Sequence, residues 1–221
     1  MRGTGVYATR GVFVALEGGE GAGKSTQARL LRSWLSEAGY DVVLTHEPGD
    51  SEVGRRLREI LLSPTTGELA HRAEALLYAA DKAEHVEKIV APALARGAVV
   101  VTDRYVDSTL AYQGAGRDLL PRDVERVARW ATADLRPHLT VLLDLPPEVG
   151  LARFGSPDRL EAEPLSFHER VREAFLQLAA ANPDHYLVVD AGHDSAAVAE
   201  AIRSRVEALL PLAECHLGAD A

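Results

Sequence analysis

The chain has 221 residues, of which 47% are hydrophobic and 26% charged, a balance that is typical of a folded globular protein. The 24 Lys and Arg face 33 Asp and Glu, so the net charge is −9, which disfavours nonspecific binding to nucleic acid or to an anionic membrane. The apolar runs are too short to cross a bilayer, and the N-terminus lacks the pattern of a secretion signal. Because the single cysteine, Cys215, cannot form an internal disulfide, we expect a cytoplasmic protein.

Along the chain, short apolar segments alternate with amphipathic ones. Five apolar segments predict buried strands at 12–16, 42–44, 98–101, 139–145 and 186–189. Six segments with 3.6-residue periodicity predict helices at 24–38, 53–62, 73–95, 121–131, 167–180 and 196–210. The alternation predicts an α/β fold with a five-stranded parallel sheet, helices on both faces, and ligands at the carboxyl ends of the strands.

One segment and both ends break this rhythm. Residues 153–164 are polar and contain Gly155, Pro157 and Pro164 without a sustained period, so we expect a short mobile lid there. Residues 1–10 and 211–221 are expected to be loosely held. The whole chain, 1–221, is predicted to form one domain.

A glycine-rich turn follows the first predicted strand and opens the first predicted helix. It fits G-x-x-x-x-G-K-[ST], in which consecutive backbone N–H groups and a helix N-terminus surround a triphosphate. Lys24 is expected at the β and γ phosphates, and Ser25 at a Mg²⁺ ion. We name residues 18–26 the cradle; the predicted contacts with ATP are Gly18, Gly19, Glu20, Gly21, Ala22, Gly23, Lys24, Ser25 and Thr26. The chain lacks N-K-x-D, which disfavours a guanine-binding GTPase.

A second polar cluster begins where the third predicted strand ends. Asp103 can hold a metal-bound water or orient an attacking oxygen, and Arg104 can clamp a phosphate; a structural ion pair is the alternative. Further along, the amide of Gln113 suits the N3–H and carbonyl edge of a pyrimidine, although segment 107–114 could equally be a polar helix N-terminus.

Taken together, these motifs resemble the bacterial-type thymidylate kinases, which are P-loop nucleoside monophosphate kinases. The similarity extends over nearly the whole chain and rests on the segments 17–26, 45–49, 76–85, 103–114 (DRYVDSTLAYQG), 158–161 and 167–171. It implies transfer of the γ-phosphoryl group of MgATP to dTMP, and a homodimer.

The resemblance also implies residue roles on the acceptor side. It places Glu20 near the acceptor sugar and the metal, and Arg58 and Arg104 at the acceptor 5′-phosphate. Around the nucleoside it places Tyr78 on the thymine ring, Thr109 and Gln113 at its polar edge, and Tyr112 beside the sugar.

The base site departs from the usual pattern of the family. Tyr78 and Lys82 are four residues apart on one predicted helix face, but Tyr78 replaces the common Phe, and taken alone it could be a core aromatic. Lys82 replaces a base-contacting arginine and lacks its planar fork. His46 and Asp50 stand where relatives have arginine and glycine. These departures leave open a kinase for another nucleotide or nucleoside.

Phosphoryl transfer needs positive charge on the moving group, and the cradle contains no arginine. Similar bacterial enzymes supply arginines from the lid, where this chain has Arg153 and Arg159. Which of the two reaches the phosphates is open, and a solvated salt bridge is the alternative for each. A nucleotide-binding regulator that has lost catalysis is the alternative from another class of protein.

Overall fold

The computed structural model describes residues 5–117, 119–153, 155 and 157–212. Five strands form a parallel sheet in the order β2-β3-β1-β4-β5. Their bounds are β1 Val12–Gly18, β2 Val42–His46, β3 Val99–Asp103, β4 Leu139–Asp144 and β5 Tyr186–Asp190. Each overlaps a predicted strand, which confirms the five-stranded parallel sheet. Strand β4 ends one residue early because Pro146 and Pro147 follow and start a helix.

Helices cover both faces of the sheet. Their bounds are α1 Lys24–Glu37, α2 Glu52–Leu62, α3 His71–His85, α4 Ala91–Ala95, α5 Val106–Thr109, α6 Pro121–Ala131, α7 Pro147–Leu151, α8 Leu165–Ala181 and α9 Ser195–Glu207. The predicted helix at 73–95 is interrupted by a π-helical segment, Val86–Val90, and a second π-helical segment, Leu110–Gly116, continues α5.

The core has two layers because alternate residues of β1 point to opposite faces. Val12, Val14 and Leu16 pack with α1 and α9, whereas Phe13 and Ala15 pack against the helical stretch that ends in α4. All five side chains are at most 1% exposed. A third apolar cluster joins α2, α3 and α8, and it supports the region beside the carboxyl ends of the strands.

Several sequence predictions concern the ends of the chain. Residues 1–4 and 213–221, with Cys215, lie outside the described residues, as do 154 and 156 of the predicted lid. Residue 6 of the predicted loose end is held by backbone hydrogen bonds, with Val6 N–H donating to Asp134 O at 2.9 Å. In the described ranges, no helix combines the length and hydrophobicity that a membrane span requires.

Candidate active site

A cavity of about 800 Å³ opens at the carboxyl ends of β1, β2 and β3, within the size range of ligand sites. The register of the sheet explains its position, because Asp103 at the end of β3 lies between Leu16 of β1 and His46 of β2. Most of the predicted site residues line it: Glu20, Gly21, Gly23, Lys24, Ser25, Thr26, Arg58, Tyr78, Lys82, Asp103, Arg104, Thr109, Tyr112, Gln113 and Arg153.

The cradle lines one end of the cavity, and at two of its glycines both the backbone conformation and the lack of space exclude a side chain. Gly18 has φ 138° and Gly21 has φ 65°, which side chains rarely adopt. A Cβ would lie 2.4 Å from Leu143 O at the first position and 2.4 Å from Gly150 O at the second. The cradle therefore packs directly on β4 and α7, and α1 begins at its end with Lys24.

Lys24 is buried against the cradle. Its Nζ donates to Gly19 O at 2.6 Å and to Gly18 O at 3.1 Å. Burial and the charge of Arg104 lower its pKa to about 8, so the ammonium is still mostly protonated at pH 7. These carbonyl contacts are ones that a phosphate oxygen can replace.

Two oxygen-bearing side chains meet beside Lys24. The hydroxyl of Ser25 donates to Asp103 Oδ2 at 2.5 Å, so the two predicted metal ligands are adjacent. A hydroxyl and a carboxylate are hard donors that suit Mg²⁺, which usually binds few protein groups and takes its remaining ligands from water and phosphate. Among the described residues, no group of three or more His, Cys, Asp or Glu side chains is placed to hold a metal ion.

Arg104 lines the cavity next to the cradle. It has φ 72°, an uncommon backbone for a non-glycine residue, and its N–H donates to Leu16 O at 2.9 Å. Its guanidinium donates to Gly18 O and to Glu20 Oε1, both at 3.1 Å. The guanidinium carbon lies 5.0 Å from the centre of the Tyr112 ring.

Glu20 projects from the cradle into this cluster and carries a negative charge. The Tyr112 hydroxyl donates to its Oε1, and His168 Nδ1 lies 3.1 Å from its Oε2. Burial alone would raise its pKa, but the hydrogen bond with His168 and the charges of Arg104 and Lys24 hold the pKa well below its usual range. No role was predicted for His168, which is 148 residues from Glu20 along the chain.

No role was predicted for Glu17 either, and this carboxylate is linked to Arg104 through the Ser108 hydroxyl. Its Oε1 accepts hydrogen bonds from Tyr105 N–H at 2.8 Å and Ser108 N–H at 3.1 Å, and its Oε2 accepts one from the Ser108 hydroxyl at 2.6 Å. Arg104 in turn donates to Ser108 Oγ at 3.1 Å. Burial and the charge of Asp107 raise the pKa of Glu17 to about 7. The available signal was a charged residue directly after the apolar segment 12–16, since charged side chains are rarely fully buried unless they are paired.

The opposite side of the cavity, which we name the acceptor wall, consists of Arg58, Tyr78, Lys82, Thr109 and Gln113. Tyr78 and Lys82 rise from one face of α3, and Lys82 Nζ lies 5.9 Å from the centre of the Tyr78 ring. Arg58, from α2, donates to Pro48 O at 2.7 Å. The Thr109 hydroxyl is buried and has no hydrogen-bond partner among the described residues.

Lys82 forms an ion pair with the buried carboxylate of Glu47, a contact that was not predicted from the sequence. Lys82 Nζ donates to Glu47 Oε2 at 2.6 Å, and His85 Nδ1 lies 2.7 Å from Glu47 Oε1. Burial opposes ionisation of Glu47, but the charge of Lys82 and the contact with His85 prevail and lower its pKa. Of the two departures near Glu47, His46 lines the cavity, whereas Asp50 accepts a hydrogen bond from the Thr45 hydroxyl.

The two lid arginines make different contacts. Arg153 lines the cavity and donates from Nη1 to Gly21 O of the cradle. Arg159 instead donates from Nε to Leu61 O at 2.7 Å and pairs with Glu74 at 2.5 Å. In this structure Arg153 is therefore the lid cation beside the phosphate cradle.

Comparison with known proteins agrees with this geometry. The profile described as "Thymidylate kinase" matches residues 16–202. Thymidylate kinase from Cutibacterium acnes is 57% identical over 90% of this chain and 98% of the relative, and that from Clavibacter sepedonicus is 55% identical over 90% and 96%. The crystal structure of thymidylate kinase from Ehrlichia chaffeensis superposes with a TM-score of 0.74 at 29% identity, covering 90% of this chain and 99% of that one.

Proposed function

Because the chain belongs to the thymidylate kinase family, we propose that its cavity holds ATP on the cradle and dTMP on the acceptor wall, side by side. The protein transfers the γ-phosphoryl group of ATP to dTMP and forms dTDP and ADP. An oxygen of the dTMP phosphate attacks the γ-phosphorus while the bond to the bridging oxygen of ADP breaks, so no covalent enzyme intermediate is needed.

One observation supports this arrangement most directly. The ammonium of Lys24 and the guanidinium of Arg104 donate to the same carbonyl, Gly18 O, each at 3.1 Å. The first cation belongs to the cradle and the second to the acceptor side, so the two predicted anion sites share a border. Two phosphates bound there would lie close enough for direct transfer.

On the donor side, the backbone N–H groups of the cradle and Lys24 are proposed to bind the ATP phosphates. Ser25 and Asp103 would hold Mg²⁺, which would offset the negative charge of the phosphates. Arg153 is proposed to stabilise the charge of the moving phosphoryl group, since it already lies on the cradle at Gly21 O.

On the acceptor side, Arg58 and Arg104 are proposed to bind the dTMP phosphate, and Glu20 with Tyr112 the sugar. The base would rest on Tyr78, with its polar edge toward the following side chains: Thr109, Gln113 and Lys82. Lys82 would act from its pair with Glu47, because an ammonium has three donors and Glu47 accepts one of them.

The test is an assay of ADP release by the purified protein with MgATP and dTMP, dUMP, dCMP or AMP. We expect dTMP to be the best acceptor, and preference for dCMP or AMP would refute the base-site assignment. Lys24→Met should reduce turnover at least about 100-fold with every acceptor. Tight binding of ATP and dTMP by the wild type without any product would instead indicate a regulator.

Two further points remain predictions. A homodimer follows from the family resemblance, and size-exclusion chromatography with light scattering would test it. A cytoplasmic location was inferred from composition and cysteine content, and fractionation of the source cells would test that.

A further inference from the structure

Glu74 is a fully buried carboxylate beside the acceptor wall. It lies on α3, one turn before Tyr78, and is 0% exposed. Arg117 donates to both of its oxygens, at 3.1 and 3.2 Å, and Arg159 pairs with it at 2.5 Å. Its fourth contact is with the base site, because Gln113 Nε2 donates to Glu74 Oε1 at 3.0 Å.

These contacts keep Glu74 ionised. Burial by itself would raise its pKa, but the hydrogen bonds from Arg117 and Gln113 and the nearby positive charges outweigh burial and lower it. An ionised carboxylate can only accept hydrogen bonds. Gln113 must therefore turn its NH₂ group to Glu74, and its amide oxygen is the atom left for the cavity that Gln113 lines.

A second side chain that could hydrogen-bond to the polar edge of the base is Thr109, at the end of α5. Thr109 is four residues before Gln113, so the two side chains share one face. Thr109 is 3% exposed, and its hydroxyl lacks a partner in the described part of the chain. The wall thus offers one fixed acceptor and one hydroxyl that can donate or accept.

We propose that Glu74 is a positioning residue that fixes the amide of Gln113 so that the wall accepts a hydrogen bond from the base. The inference rests on the proposed function, since it requires the pyrimidine to lie against Gln113. A 2,4-dioxopyrimidine carries hydrogen on N3 and satisfies this acceptor. Cytosine has an unprotonated N3, so two acceptors would face each other in a buried site, and such a mismatch is rejected strongly.

The test compares Glu74→Gln with two control variants. The neutral amide of Glu74→Gln can donate or accept, so Gln113 is free to turn, and we expect the ratio of kcat/KM for dTMP over dCMP to fall at least about tenfold. Glu74→Asp keeps an acceptor-only group and should retain much of the ratio. Arg117→Lys disturbs the same network but keeps a positive charge beside the carboxylate, so Glu74 should stay ionised and the ratio should stay near that of the wild type.

An equal loss of kcat/KM for both acceptors in Glu74→Gln would mean a purely structural role and would overturn the inference. A wild type that prefers dTMP, with an unchanged ratio in Glu74→Gln, would overturn this inference alone. A wild type that prefers dCMP would overturn the proposed function as well. Should the variant fail to fold, a crystal structure of the wild type with dTMP decides: Gln113 should remain bonded to Glu74, and its release would refute the idea.

Discussion

Asp81 is a buried carboxylate, and only one of its two oxygens has a hydrogen-bond partner among the described residues. Its Oδ1 accepts a hydrogen bond from Gly49 N–H at 3.0 Å, whereas Oδ2 has no partner among the described residues. Burial and the charge of Glu47 raise its pKa from 3.8 to about 6. The folded state therefore binds this proton more tightly than the unfolded state, and ionised Asp81 lowers stability increasingly as the pH rises from about 4 to about 6.

Asp81→Asn should accordingly stabilise the protein at pH 8 by up to about 3 kcal/mol. The gain should shrink toward zero near pH 4, where the wild-type carboxyl is also neutral. Urea unfolding of both proteins across this pH range measures the difference. Glu52→Gln, at an exposed carboxylate, controls for the loss of one negative charge. A gain that does not vary with pH would contradict the explanation.

Individual site residues were predictable where their role depends on neighbours in the sequence. Lys24 and Ser25 follow from the spacing of one loop, and Asp103 with Arg104 from the end of one strand. The partners of these groups were not predictable in this way. His168 reaches Glu20 from 148 residues away, and such a contact depends on how α8 packs on the sheet.

At the scale of elements, the turn into α5 determines where Arg104 points. Glu17 accepts the N–H groups of Tyr105 and Ser108 and the Ser108 hydroxyl, and Ser108 Oγ accepts from Arg104. The end of β1 thus holds the start of α5 and, through one hydroxyl, the guanidinium proposed to bind the dTMP phosphate.

Ser108→Ala removes that hydroxyl while the two backbone hydrogen bonds to Glu17 remain. We expect the KM for dTMP to rise about 5- to 10-fold with kcat nearly unchanged, because Arg104 would lose one hydrogen bond that positions it before and during transfer. Steady-state kinetics at saturating ATP measures this split. Ser108→Thr keeps the hydroxyl and should have a smaller effect; a change in kcat alone would argue against positioning.

The strands were predictable because each is a short apolar segment between turn residues, and β1, β3 and β4 are almost entirely buried. The helical stretch from Leu110 to Gly116 was harder to predict. Its π-helical turns contain more than 3.6 residues, which disturbs the expected periodicity. The five-residue helix α7 is too short to show any period at all.

At the scale of the whole molecule, the order of the strands creates the site, and alternation of helices and strands does not specify that order. With β3 placed next to β1, Asp103 comes within 2.5 Å of Ser25, although 78 residues separate them in the chain. The pairing of β3 with β1 also brings Lys24 and Arg104 together, so that both donate hydrogen bonds to Gly18 O. A protein of net charge −9 can therefore bind two anionic nucleotides through a local concentration of cations.

The two arginines of the predicted lid segment, 153–164, contact different parts of this site, the cradle and the network beside the acceptor wall. Arg153 lies on the cradle at Gly21 O, and Arg159 lies in the network of Glu74 on the acceptor side. Arg153→Ala should lower kcat about 100-fold with little change in the KM for dTMP, because a cation that stabilises developing charge acts mainly in the transition state. Arg153→Lys should recover part of the rate, since the charge remains without the planar fork.

Arg159→Ala should behave differently, because in this structure its guanidinium compensates a buried carboxylate and lies away from the cradle. We expect a lower midpoint of thermal unfolding and a loss in kcat of less than about tenfold, since leaving part of a buried charge unpaired destabilises the fold. Parallel measurement of kcat and thermal unfolding for both alanine variants separates the two roles. If Arg159→Ala loses more turnover than Arg153→Ala, the lid must rearrange on binding so that Arg159 leaves Glu74 and reaches the phosphates.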